Sequence, residues 1–471
     1  MYTIPSGSAI DKDAFDAVAD AFLQKQGLPF AEVLSAGVIQ RAFADRNALF
    51  GQRDLFSTQT VLWAFLAQVL RDGKGAACAS AVAEIATYLE QTGRNAPSGD
   101  TGDYCRARAK LDLVALRDLT RQAGRELDEQ APEPWRWHGR LAKLVDGFTF
   151  TMLDTGDNQK EFPQAKSQKP GVGLPIARAC AVLSLATAAI EDLAIGPYAG
   201  KQTGETALLR QILPCLAPGD VAVFDRYFCS FMMLAILSRQ GVDACARLYQ
   251  SRDNTFCRQR QLGDHDHLVT WTRPRRPDWM SQDHYDQIPL TMTLREVQFD
   301  VLIPGCRSRT ITVMTTLTDP VAYPAQDIAE LFGCRWNVEL DIRAIKQTLR
   351  LSHVPCKTPP MVRRHLWVTL LAYNLIRKVM ACAAAIHDKQ PRQLGFTFAC
   401  QTILSSWMLV ATGACCQDRR LWERTLERIA ANEVANRPGR LEPRVIKRRR
   451  HRYRLMTRPR RQLRDELLAL S

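Results

Sequence analysis

The sequence predicts an α/β protein: a mixed sheet with helices packed on it, between helical N- and C-terminal regions. Three observations lead there. Apolar residues recur at helical spacing up to about residue 130. From about residue 140 the pattern changes to apolar runs of strand length, then to strands alternating with helices. After about residue 320 helical spacing returns and holds to about Ile429.

In the first region the helical period is carried by AFDAVADAFLQ, TQTVLWAFLAQVL and AVAEIATYLEQ. A polar break, TGRNAPSGDTGDY, separates these from one further helix, CRARAKLDLVALRDLTRQAGREL. Pro132 and Pro134 mark a linker. LVDGFTFTML alternates apolar residues and reads as a strand containing Asp146. ARACAVLSLATAAIEDLAIGP fits two strands or a strand and a helix, which periodicity alone does not separate. ETALLRQIL reads as a short amphipathic helix. DVAVFDRY is a buried strand ending at Asp225, followed by a helix, SFMMLAILSRQG, and a short strand, ACARLY.

Residues Gln250 to Pro289 are polar, irregular and proline-containing, and LREVQFDVLIP and RTITVMTTL after them are strand-like. DIAELFGCRWNVELDIRAIKQTLRL then reads as one continuous helix, and LWVTLLAYNLIRKVMACAAAIH as an apolar one. The expected division is a helical domain at 1–130, a sheet domain at 140–351 with a β-rich insertion at about 250–318, a helical region at 360–430 and a basic tail at 437–471.

Composition narrows the class. At 471 residues, 46% hydrophobic and 24% charged, the chain has the make-up of a globular protein with several cores. The longest uncharged stretch, Leu394 to Gln417, is interrupted by Gln401, Ser405, Ser406, Thr412 and Gly413, so a buried helix is expected and no membrane span. MYTIPSGSAIDKDAF lacks a basic region followed by an apolar core, so no signal peptide is expected. The 14 cysteines are scattered without a C-x-x-C pair, which points to reduced thiols rather than disulfides or zinc. The net charge is +14, and Arg437 to Arg464 holds 13 Lys or Arg against one acid, Glu442. The rest of the chain is nearly balanced. A run of this kind binds polyanions by releasing their counterions, or serves as a solvated tail.

Chemistry enters with three carboxylates. Asp146 and Asp225 each sit in or at the end of an apolar strand, where an unpaired carboxylate is costly to bury. Taken singly, Asp146-Gly147 could be a turn and Asp225-Arg226 a strand-end ion pair. On an ideal helix Arg335, Glu339 and Lys346 fall within about 40° of one another at 100° per residue, an arrangement an exposed ion pair could also produce. Two strand carboxylates with a helix glutamate supply the hard oxygen ligands that a pair of Mg²⁺ or Mn²⁺ ions needs for phosphoryl transfer. YAGKQTGET does not complete a G-x-x-x-x-G-K-[ST] loop, so no nucleotide cofactor is expected.

VDGFT at 145–149, GDVAVFDRYFCSF at 219–231 and LFGCRWNVELDIRAIKQTL at 331–349 resemble the DDE transposases of bacterial insertion sequences, in the IS-four-like group with a Y-R-E-K signature. The signature spacing falls on Phe332, Arg335, Glu339 and Lys346, with phenylalanine in place of the tyrosine. LLAYNLIR at 370–377 and the RPGRLEPRVIKRR tail are also similar to this group. The resemblance implies an RNase H-like catalytic core interrupted by the β-rich insertion. It implies Asp146, Asp225 and Glu339 as catalytic residues and metal ligands, holding two Mg²⁺ or Mn²⁺ ions. Asp154 competes for the first position, but the motif places the ligand before a glycine.

The implied partners are double-stranded DNA, at the element ends and the target, and a second copy of the chain in a DNA-bound homodimer. Arg335, Lys346, Phe332, Arg343 and the tail residues Lys447, Arg448, Arg449 and Arg450 are the expected DNA contacts, with the helical N-terminal domain binding the ends. Trp271 and Trp279, on either side of RPRRP, are candidates to hold a displaced base, or else they pack in the insertion's own core. The expected setting is the bacterial cytoplasm, at the nucleoid. The competing readings are a decayed or domesticated DNA-binding relative, to which Phe332 gives some room, and an RNase H-like nuclease of host metabolism.

Overall fold

A computed structural model describes residues 36–51, 55–91, 96, 98–248, 258–301, 309–411, 419–434 and 456–469. Two compact units are formed, each from stretches far apart in the chain. One comprises Met1–Trp135, Ala186–Glu191 and Asp341–Val434; the other comprises Arg136–Leu185, Asp192–Leu340 and Ala435–Ser471. The basic run with Lys447, Arg448, Arg449 and Arg450, and the first expected helix, lie outside the described residues.

The first unit is helical. Its longest helix, Pro359–Ile386, is long and apolar enough to cross a bilayer, yet 78% of its most apolar window is buried, which identifies it as a core helix. Thr58–Leu70 and Leu113–Glu129 pack on it. The run expected as one helix after residue 104 is two, Gly102–Lys110 and Leu113–Glu129, because Asp112 starts the second: its Oδ1 accepts from the Ala115 amide at 2.8 Å. Within LLAYNLIR, Tyr373, Asn374 and Arg377 are buried. Arg377 donates to the Tyr373 hydroxyl and to Asp341, which Arg392 also meets, so this motif is a buried polar network of the helical core.

The second unit is built on a mixed sheet with strands β1 Ala142–Met152, β2 Ile176–Ser184, β3 Ile190–Pro197, β4 Val221–Phe224, β5 Asp243–Arg247, β6 Arg258–Gly263, β7 Asp266–Thr272, β8 Thr291–Val301 and β9 Arg309–Thr315. Their order is β3-β2-β1-β4-β5-β9-β8-β7-β6. β1 pairs antiparallel with β2 and parallel with β4; β4 and β5 are parallel, and β5 and β9 antiparallel. The segment that fitted two strands or a strand and a helix is β2 and β3. One apolar core runs from Val145 and Phe224 through the Phe231–Arg239 helix to Trp271, Leu294 and Met314.

Two expectations fail here. Part of the polar stretch expected to be irregular is a hairpin, β6–β7, turned at His265 in the left-handed region (φ 54°). The continuous helix expected to run to Leu351 is instead Ala325–Gly333, a 3₁₀ turn at Cys334–Trp336, an α-helix at Asn337–Arg343 and a π-helical turn at Ala344–Thr348.

Candidate active site

Parallel pairing of β1 and β4 sets Val145 opposite Phe224. The next residue on each strand is an aspartate, so Asp146 and Asp225 stand side by side where the two strands leave their shared register. Asp225 terminates β4 and caps the 3₁₀ turn Arg226–Phe228, accepting from the Arg226 amide at 2.7 Å. This local bond holds the carboxylate at the strand end, where the sequence placed it. Asp146 lies within β1, opposite Ala181 of β2, and accepts from the Gly147 amide at 2.8 Å.

The Asp146 carboxyl is pushed up to about 6, first by burial; Glu205 and Glu339 push the same way, while the Gly147 amide and Arg335 oppose them. Glu339, half exposed on the Asn337–Arg343 helix, and Arg335, buried one turn earlier, form a pair at 3.4 Å. Arg335 lies over the Trp336 ring at 4.6 Å, and its Nε has no hydrogen-bond partner among the described residues. Asp146, Glu339 and Arg335 are therefore brought to one electrostatic neighbourhood.

Glu205 is the member that sequence reasoning missed. It opens the Glu205–Ile212 helix, and a Cβ at residue 147 would stand 2.2 Å from its Cδ. Burial raises its carboxyl, Arg178 opposes that, and the charge of Asp225 adds to it. An acid in a helix's first turn is too common to be a signal. The available clue was Gly147, since a glycine inside a strand marks a close approach.

Other expected residues are placed differently. Phe332 is buried and packs on Phe299 at 6.4 Å, so its ring is not presented to a partner. Lys346 lies in the π-helical turn and Arg343 just before it, in the helical unit. The stripe of Arg335, Glu339 and Lys346 expected on one continuous helix is broken, with Lys346 in the π turn; Arg343, which ends the helix of Glu339, is exposed and reaches Gln347 at 3.4 Å. Trp271 is a core residue, 4% exposed, which removes it as a base-holding surface. Trp279 is half-buried, with the Arg210 guanidinium 3.9 Å above its ring, and lines a cavity of about 530 Å³ with Ile236, Arg239 and His284. Asp154 is exposed and accepts from Gln159 at 2.8 Å.

Among the described residues no three Asp, Glu, His or Cys side chains converge at metal-ligand spacing. The chemistry of the donor set nevertheless suits a divalent cation. It is all hard oxygen, and burial raises the Asp146 carboxyl, with Glu205 and Glu339 adding to that shift.

The comparisons with known proteins agree with the motif resemblance. The family model Transposase DDE domain matches residues 137–375, and the chain belongs to that family. The transposase InsG for insertion sequence element IS4 of Escherichia coli (strain K12) is 25% identical over 356 residues, 74% of this chain and 76% of that protein. A solved piggyBac transposase synaptic complex with hairpin DNA aligns over 89% of this chain and 86% of its own, at 8% identity and a TM-score of 0.42. A likeness that distant carries no argument here.

Proposed function

We propose that this chain cuts DNA at the ends of an insertion sequence and joins those ends to a target, by cut and paste, with Asp146, Asp225 and Glu339 as its catalytic carboxylates. The observation that carries this reading is the strand register that sets Asp146 beside Asp225, with Glu339 felt at Asp146. The strand order β3-β2-β1-β4-β5, antiparallel at β1–β2 and parallel at β1–β4 and β4–β5, supports an RNase H-like core interrupted between β5 and the Ala325–Gly333 helix by the β6–β9 insertion. Asp146, Asp225 and Glu339 would hold two Mg²⁺ or Mn²⁺ ions. Such ions would supply Lewis acidity to the phosphoryl transfer.

In the first step a water oxygen bonds to phosphorus at the element end, and the 3′ oxygen leaves as a free hydroxyl. That hydroxyl attacks the opposite strand to close a hairpin, a second water reopens it, and the 3′-OH then attacks target DNA. Each transfer makes and breaks one P–O bond, so no covalent enzyme intermediate is needed. Arg335, over the Trp336 ring and paired with Glu339, is the signature cation that would meet a phosphate oxygen of the flanking DNA. Lys346, Arg343 and the basic tail add further phosphate contacts, and a homodimer at the nucleoid holds both ends together.

Cleavage of DNA carrying the element's own ends, with Mg²⁺ or Mn²⁺, tests this for wild type and Asp225→Ala. Cutting by the wild type, with equal binding and no cutting by the variant, is the expected result. Binding without cutting by the wild type under either metal would instead establish a decayed DNA-binding relative, and nicking without strand transfer a host nuclease.

A further inference from the structure

We infer that the helical unit holds a seat for one DNA backbone phosphate, in a cavity beside the π-helical turn, with Arg350 as its principal cation. The inference rests on reading the chain as one that binds DNA. It adds a site formed wholly within the helical unit, by residues that belong neither to the carboxylates nor to the signature.

The cavity has a volume of about 710 Å³ and lies where the Thr58–Leu70 helix ends, the Ala344–Thr348 turn closes and the Phe396–Ala411 helix begins. Its lining carries two guanidiniums, Arg71 and Arg350, and four neutral hydrogen-bonding side chains, Gln347, Thr348, Thr397 and Gln401, beside apolar residues. The one acid in that lining, Asp72, is exposed. Thr348 and Thr397 join hydroxyls at 3.1 Å, which ties the turn to the helix.

Arg71 is already matched by an ion pair with Glu84. Arg350, half-buried, makes no hydrogen bond or ion pair among the described residues. Its backbone is also strained: φ is 55°, in the left-handed region where a helix end normally uses glycine. An arginine kept where glycine would fit without strain marks a side chain with a task. The surrounding chain has the matching charge. From Ile342 to His387 there are eight Lys or Arg and no Asp or Glu. A planar guanidinium without a partner, ringed by hydroxyl and amide donors, suits the oxygens of a phosphate. A polymer of phosphates fits better than a free anion, because exposed cations continue beyond the cavity at Arg343 and Lys357.

The test is fluorescence anisotropy of a labelled duplex carrying the element's ends, titrated with the full chain in chelating buffer at several salt concentrations. Arg350→Gly removes the guanidinium and relieves the backbone. Its melting temperature should be no lower than that of wild type, while binding weakens roughly tenfold and the slope of log K against log salt shrinks by about one. Arg350→Lys keeps the charge, so it should keep the slope and lose only part of the affinity. Wild-type affinity and slope in Arg350→Gly overturn the seat. Weaker binding with a lower melting temperature in Arg350→Gly, not rescued by Arg350→Lys, assigns Arg350 a structural role and overturns it as well. So does stabilisation of wild type by inorganic phosphate at matched ionic strength that vanishes in Arg350→Gly while DNA affinity is unchanged, since the cavity then takes a free phosphate. If the wild-type chain does not bind the duplex, the DNA reading itself fails; if only the seat is wrong, wild type and Arg350→Gly bind equally.

Discussion

Arg335 and Glu339 form an i,i+4 pair in which the cation is buried and the acid half exposed, with 3.4 Å between them. A pair so long and lopsided contributes little stability. Its consequence lies in orientation: the guanidinium stays by the carboxylates and pulls the Asp146 carboxyl down against burial. Removing it in Arg335→Gln should therefore let Asp146 rise above about 6, and the acid limb of the cleavage rate against pH should move to higher pH. Arg335→Lys, which keeps the charge but loses the planar fork, should leave the limb in place while cleavage falls about tenfold or more. An unshifted limb in Arg335→Gln would separate Arg335 from Asp146.

The metal-free stability of the chain should fall with rising pH. Asp146 titrates at about 6 in the folded chain against an ordinary 3.8, so the folded state binds the proton more tightly than the unfolded one. This preference stabilises fully below about pH 4 and is lost as pH rises through about 6, at a cost on the order of 2–3 kcal/mol. Asp146→Asn, in a chelating buffer, should unfold a few degrees above wild type at pH 8 and at the same temperature as wild type at pH 4. A difference in melting temperature that does not vary with pH would refute the assignment.

Much of this site was readable in the sequence, for identifiable reasons. β1 and β4 read as strands from their apolar residues, and an aspartate in or at the end of such a run stands out. What was not readable depended on tertiary partners. The β6–β7 hairpin was hidden because its buried members include Asp266 and His267, paired with Arg295 and Glu296 of β8, and a polar core has no apolar alternation to detect. The helix through Glu339 looked continuous because its apolar spacing is continuous; the 3₁₀ and π turns leave no local mark in the sequence. The two units could not be delimited either, since each draws on three separated stretches and Ala186–Glu191 joins the helical one.

That polar core makes the insertion sensitive to single charge changes. Arg295 is fully buried and donates twice to Asp266, at 2.8 and 2.6 Å, while its Nη1 donates to the Tyr323 carbonyl at 2.6 Å. Asp266→Asn leaves the guanidinium uncompensated and should cost about 3–5 kcal/mol in urea unfolding. Asp266→Leu combined with Arg295→Met removes both charges and should recover most of that loss. If the double variant is less stable than Asp266→Asn, the pair is a net source of stability rather than a specificity device.

Asn374 performs the equivalent task in the helical unit. Its Oδ1 accepts from the Ile190 amide at 2.8 Å, and its Nδ2 donates to the Ile190 and Thr120 carbonyls, each at 2.9 Å. The amide thereby ties the Pro359–Ile386 helix to Leu113–Glu129 and to the 186–191 stretch, which comes so close that a Cβ on Gly124 would stand 2.2 Å from the Ile190 oxygen. Asn374→Ala leaves buried backbone groups of Ile190 unpaired, at about 2–4 kcal/mol. Asn374→Asp should be worse at pH 8, because an ionised carboxylate turns acceptors toward two carbonyls, and should improve as acid protonates it and restores a donor. Asp less damaging than Ala at pH 8 would show that the amide's donors are not what holds the three segments together.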